Sequence, residues 1–228
     1  MMQTLTLLSK RLVSLTGRTI LRWLEKRRKD FFYKKSKIEG YRSRAAYKLL
    51  QANKSYHFIK PGSIIADLGC APGGWLQVAG KLVGLRGKVF GVDIKPIKPL
   101  DVKNIEFVLD DVSNPKLPEK LLKLAGKNFD VVLSDLSPNL TGIWDVDHAR
   151  QIDLAEKAYK IACSTLKPNG IFFTKVFDGP YLKDFIRKVK EHFKDVKILK
   201  PKASRPESAE LYILARGFNG KVLGGDTK

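Results

Sequence analysis

Residues 64–79 read IIADLGCAPGGWLQVA. Ile64-Ile65-Ala66 is an apolar run without polar alternation, the pattern of a strand buried on both faces of a parallel sheet. Asp67 closes it, and Leu68 to Gly74 is rich in residues that permit tight turns and close backbone approach. Trp75 to Val83 then resumes apolar residues at helical spacing. A strand, a glycine-rich turn and a helix N-terminus form a ligand cradle at the carboxyl end of a sheet. An ordinary strand–turn–helix with a capping Asp shares this local pattern.

Spacing excludes two ligand classes. There is no G-x-G-x-x-G for a pyrophosphate and no Gly-Lys-Ser/Thr for a nucleotide triphosphate. Asp67-x-Gly69 with Pro72-Gly73-Gly74 suits a ligand without phosphates, and a carboxylate at the strand end favours a cation such as a sulfonium with an amino-acid tail. Val89 to Ile94 (VFGVDI) is a second apolar strand, ending in Asp93. An acid about 20 positions past a glycine turn takes ribose hydroxyls. Adenosine, a cation and no phosphate together describe S-adenosylmethionine.

The remaining chain alternates strands and helices. Strands are expected at Ile105–Val112, Phe129–Leu136, Ile171–Phe177, Val196–Leu199 and Ala209–Ala215. Helices are expected at 40–51 with Ser43 as N-cap, at 117–125, 148–166 and 181–193, with a turn at Lys167–Gly170. This order predicts an α/β, doubly wound, mostly parallel seven-stranded sheet of Rossmann-like type, its antiparallel last strand in a hairpin with the strand before it. The domain is expected over 36–218, after a basic amphipathic extension at 1–35 and before a fraying tail at 219–228.

The chain has 228 residues, with 43 Lys plus Arg against 23 acids, a formal charge of +20. A thermophile-like lysine-rich surface would carry matching Glu, so the excess points to a nucleic acid partner. Cys70 and Cys163 stand far apart with no C-x-x-C and no His cluster, which argues for a reducing compartment and against a metal. No apolar run reaches the length of a membrane span. Residues 1–28 carry no acid before Glu25 and interleave leucines with Lys and Arg, as in an organelle transit peptide or a basic helix lying on RNA. Lys26–Lys37 (KRRKDFFYKKSK) mixes phosphate-neutralising lysines with aromatic rings that either stack on bases or dock on the core. A cytoplasmic monomer is expected, with the mitochondrial matrix as the alternative location.

Lys175 lies inside an otherwise apolar strand, where its amine needs a carboxylate or must be neutral unless it emerges into water at the mouth of the sheet. Asp135 ends the strand expected beside it. Lys48, by contrast, reads as an ordinary surface lysine.

Five motifs in order, YRSRAAYKLL at 41–50, DLGCAPGGW at 67–75, DLSPN at 135–139, FFTKVF at 172–177 and SAELY at 208–212, resemble the FtsJ-like 2′-O-ribose RNA methyltransferases. The likeness spans 36–217 and lies nearest the branch that acts on large-subunit ribosomal RNA. It implies a catalytic tetrad of Lys48, Asp135, Lys175 and Glu210, and S-adenosylmethionine contacts at Gly73, Trp75, Asp93, Asp111 and Asp135. It implies methylation of a uridine ribose in the A-loop of the large ribosomal subunit. Cys70 and Asp110 depart from the family pattern without removing a motif residue. In this scheme Lys175, kept neutral by desolvation and by Lys48, takes the 2′-hydroxyl proton while Asp135 and Glu210 orient the lysines, although their charge opposes the neutral form. Alternatives are a transfer-RNA anticodon-loop ribose methyltransferase, a cap ribose methyltransferase, and a non-catalytic RNA-binding ribosome-assembly factor.

Overall fold

The computed structural model describes residues 30–221 apart from Pro206. Most of the expected N-terminal extension and of the tail therefore lies outside the described residues. Helices are α1 (Phe31–Ile38), α2 (Ala46–Tyr56), α3 (Gly74–Val83), α4 (Leu117–Ala125), α5 (Trp144–Thr165) and α6 (Leu182–His192). Strands are β1 (Ile64–Leu68), β2 (Lys88–Asp93), β3 (Ile105–Leu109), β4 (Phe129–Ser134), β5 (Leu166–Phe177), β6 (Phe193–Leu199) and β7 (Glu210–Phe218). They form one seven-stranded sheet in the order β3-β2-β1-β4-β5-β7-β6. β7 runs antiparallel to both neighbours, and the other pairings are parallel.

Side-chain alternation along the strands divides the core into two layers. Ala66, Phe90, Val132, Phe172 and Ile213 face α4, α5 and α6. Ile65, Val89, Val131, Leu133, Phe173 and Leu214 face α2 and α3. Both faces of the central strands are therefore apolar, which is why β1 and β4 read as continuous hydrophobic runs.

Several local expectations need correction. Ser43 does not cap α2: the helix begins at Ala46 behind Ala45, which makes no side-chain cap bond. Ser43 instead packs on the start of α3, where a Cβ on Gly74 would lie 2.2 Å from its Oγ. Helix α5 starts at Trp144 rather than His148, because Asp147 bonds back to the incoming loop and holds Thr141 and Gly142. The expected turn at Lys167–Gly170 is an irregularity within β5, where the register with β4 shifts and Asn169 takes φ 62°. Helix α1 is capped by Asp30, which accepts from the Tyr33 amide at 3.1 Å.

Candidate active site

The carboxyl ends of β1, β2, β3 and β4 surround a cavity of about 420 Å³ lined by Gly69, Ala71, Asp93, Asp111, Asp135 and Pro138, among others. Gly69 has φ 76°, and a Cβ there would meet Leu136 Cδ2 at 2.8 Å and the Leu136 backbone at 3.0 Å. The glycine lets the turn after β1 pass close to the β4 loop, and any other residue would push the two rims apart.

Carboxylates dominate the cavity. Asp93 accepts from the Ala71 amide with Oδ2 and from the Lys95 amide with Oδ1, both at 2.8 Å, so the turn itself holds it in place. Asp111 is exposed at the rim and accepts from the Ser113 amide at 2.7 Å. Asp67, on β1 behind the turn and not itself lining the cavity, is completely buried, and neither of its oxygens has a hydrogen-bond partner. Burial first, then the charges of Asp135 and Asp93, hold its carboxyl well above the usual range. A buried acid with no donor, beside further acids, fits a ligand that brings positive charge; the sulfonium and ammonium of S-adenosylmethionine meet that requirement. Arg42 braces this end, donating to the carbonyls of Pro72, Lys98 and Pro99. The motif reading gave Arg42 no role.

Gly73 and Trp75 are placed differently. Gly73 takes φ 108° at the N-cap of α3, outside the residues lining this cavity. The Trp75 ring is buried behind the turn, stacked on Phe173 at 5.6 Å and tilted against Tyr212 at 5.9 Å. Its Nε1 donates to the Ala45 carbonyl at 2.8 Å, joining α3 to the start of α2. Its side chain supports the site from behind.

The second cluster lies next to the cavity, and alternation explains how it assembles. Positions 131 and 133 on β4, 173 on β5 and 212 and 214 on β7 share the layer under α2 and α3. Continuing that period by two brings Asp135, Lys175 and Glu210 to the same side. Lys175 pairs in register with Tyr212, and Phe177 with Glu210. Helix α2 covers this face and supplies Lys48.

The resulting contacts are close. Lys48 Nζ donates to both oxygens of Glu210 at 2.6 Å. Lys175 Nζ donates to the Asp135 carbonyl at 3.0 Å, lies 3.3 Å from Asp135 Oδ1 and 3.9 Å from Glu210 Oε1. Lys48 is 9% exposed and Lys175 6%, so neither amine lies out in bulk water. The surface reading of Lys48 is thereby corrected: its helical position gave no hint that a strand 162 residues later would supply a carboxylate. Glu210 stands between the two lysine nitrogens.

Tyr212 completes the cluster. Its hydroxyl lies 2.9 Å from both Asp135 Oδ1 and Glu210 Oε1. One phenol proton serves two carboxylates, and burial followed by those two charges pushes the hydroxyl well above its usual pKa. The phenol therefore stays a donor. Sequence reasoning passed over it, although its position two residues after Glu210 in a strand was sufficient to put both side chains on one face.

A buried amine with carboxylates to orient it, beside an acidic adenosyl-sized cavity, can accept or hydrogen-bond the proton of an entering hydroxyl. The family model for FtsJ-like methyltransferase matches residues 41–218. A protein named ribosomal RNA large subunit methyltransferase E from Methanocaldococcus jannaschii is 47% identical over 208 residues, covering 90% of this chain and 85% of the relative. Its namesake from Archaeoglobus fulgidus is also 47% identical, over 193 residues, covering 85% of this chain and 98% of the relative. Among solved structures, a putative ribosomal RNA methyltransferase from Plasmodium falciparum superposes with TM-score 0.71 at 28% identity, over 79% of this chain and 100% of that one. Aeropyrum pernix fibrillarin, solved with natively bound S-adenosyl-L-methionine, shares the fold at TM-score 0.55 and 19% identity, covering 77% of this chain and 75% of that one.

Proposed function

Since the chain belongs to the FtsJ-like methyltransferase family, we propose that it methylates the ribose 2′-oxygen of a uridine in large-subunit ribosomal RNA, in the A-loop of the assembled or nearly assembled subunit. The observation that carries this reading is the meeting of Lys48, Asp135, Lys175 and Glu210, from four separate segments, beside the acidic cavity. S-adenosylmethionine, held at Asp93, Asp111 and Asp135 and along the turn that includes Gly73 and the Trp75 backbone, supplies an electrophilic methyl carbon.

The chain's own residues do the rest. Lys175 meets the 2′-hydroxyl and takes up its proton as the oxygen becomes nucleophilic. Asp135 and Glu210 fix where that amine points, and Lys48 holds Glu210 from the far side. Tyr212 ties the two carboxylates together, so the positioning group moves as one unit. Because attack must be in line with the bond that breaks, this rigidity supplies much of the rate. No helix among the described residues is long and apolar enough to cross a membrane. We place the enzyme, as a monomer, in the cytoplasm with the maturing subunit.

The test is to incubate the protein with labelled S-adenosylmethionine and with large ribosomal subunits or transfer RNA, and to map ribose methylation on each. A 2′-O-methyl mark on large-subunit RNA that vanishes with Lys175→Ala supports the reading, while full activity in that variant removes Lys175 from the chemistry. A mark on the transfer-RNA anticodon loop alone would give the substrate to the alternative.

A further inference from the structure

Beyond the tetrad, β5 runs into a row of aromatic rings. Phe177, the last residue of β5, pairs with Glu210 in register. It stacks on Trp144 with centroids 6.0 Å apart and planes at 19°. Trp144 stacks on His148 at 5.8 Å and 19°, and His148 on Tyr181 at 5.5 Å and 6°. His148, the third ring of the row, is tightly enclosed. His148 is wholly buried, accepts from the Tyr181 amide with Nε2 at 3.2 Å, and lies so close to Gly179 that a Cβ there would sit 2.7 Å from the ring. The two rings that flank His148 are open, Trp144 being 45% and Tyr181 51% exposed, while Phe177 at the other end is half-buried.

None of these rings takes part in the methyl-transfer machinery. We propose that the row Phe177–Trp144–His148–Tyr181 is a stacking shelf for unpaired nucleobases next to the nucleotide whose ribose enters the tetrad. This rests on the proposed RNA substrate and adds how that substrate is held. The row begins at the strand that carries Lys175, so a strand of RNA whose ribose reaches that amine would pass over it. The chain's charge of +20 makes a polyanion the partner. Asp145 and Asp178 directly follow Trp144 and Phe177 in the chain, so what this surface offers a nucleotide is its rings rather than basic side chains. Rigid aromatic surfaces hold bases of any identity by stacking, and target selection in single-stranded RNA uses such splayed bases.

The shelf is tested by titrating the wild-type protein with a single-stranded RNA oligonucleotide while following tryptophan emission, the Trp144→Phe protein supplying the background from the other tryptophans. Quenching by the oligonucleotide but not by an abasic analogue is expected, and equal quenching by both overturns stacking. In methylation kinetics, Trp144→Ala and Tyr181→Ala should each raise the KM for RNA roughly 5- to 150-fold. Cofactor affinity and the salt dependence of RNA binding should stay unchanged, because no phosphate contact is lost. Trp144→Phe should recover most of the lost RNA affinity. Should Trp144→Ala fail to fold, the half-exposed Tyr181→Ser takes its place. An unchanged KM in these variants overturns the shelf and leaves the proposed reaction standing. Base-dependent quenching by a protein that methylates no RNA supports the shelf and ends the proposed reaction. Concentration-dependent self-association without quenching would make the row a protein interface and overturn the proposal.

Discussion

The two halves of the site handle buried charge in opposite ways. Around the glycine turn, Asp67 is sealed in with no partner for either oxygen. In the tetrad, a short distance along the sheet edge, Asp135 and Glu210 are each contacted by a lysine and by the Tyr212 hydroxyl. The first carboxyl is pushed towards its protonated form by burial and its acidic neighbours, and positive charge arriving beside it would reverse that push, which suits a binding site. The second arrangement is complete in itself, which suits groups that must hold one geometry while a substrate comes and goes. A buried acid without a donor costs stability, and one with several donors is a positioning device.

Single substitutions can break this contrast. The largest effect is expected from Lys175→Ala, which should slow single-turnover methylation by roughly 10²–10⁴-fold while cofactor binding, read by calorimetry, persists. Lys48→Met takes the closest cation from buried Glu210, which keeps the Tyr212 hydroxyl at 2.9 Å and Lys175 at 3.9 Å, and should lower unfolding stability by about 1–3 kcal/mol in denaturant titration. That loss would show that α2 is pinned by charge as well as by packing.

On the cavity side, Gly69→Ala forces a side chain into φ 76° against Leu136, at a cost of about 1–3 kcal/mol, and should weaken cofactor binding more than RNA binding. Tyr212→Phe removes one shared donor but leaves each carboxylate a lysine, so a drop in kcat of about tenfold with an intact melting transition is expected.

Asp67→Asn gives the smallest change and the most diagnostic sign. Its folded-state carboxyl titrates above the unfolded value, so the folded chain holds the proton more tightly. Stability without cofactor is therefore greatest below the unfolded pKa, about 4, and declines as pH rises from there towards the raised folded value. The Asn variant should lose that decline and melt slightly higher at neutral pH, while binding S-adenosylmethionine less well. A variant that melts lower at neutral pH would show that Asp67 has a donor after all.

Much of the cradle was legible in the sequence, because its logic is local. Asp67, Gly69 and Asp93 lie within 27 residues of one another along the strand–turn–helix–strand path, and turn chemistry and strand periodicity alone place them together. Lys175 also declared itself, as a charge amid Phe172, Phe173 and Val176. Lys48 did not, since an amine on an amphipathic helix looks the same whether it meets water or Glu210. The early start of α5 was hidden for a related reason. Asp147 reaches backwards to the loop before it, so the residues from Trp144 read as connection rather than helix. That region then carries the Trp144–His148 stack, to which the sequence pattern assigned no function.

The chain's order of apolar runs, turns and acids determined a doubly wound sheet and a phosphate-free cradle, because these depend on neighbours along the backbone. The insertion of β7 between β5 and β6 was decided only in three dimensions. It sets Tyr212 opposite Lys175 and carries Glu210 to Lys48. The physical reason is that a side chain's charge environment is set by whatever the sheet brings beside it, and strand order is a long-range property that residue spacing does not encode.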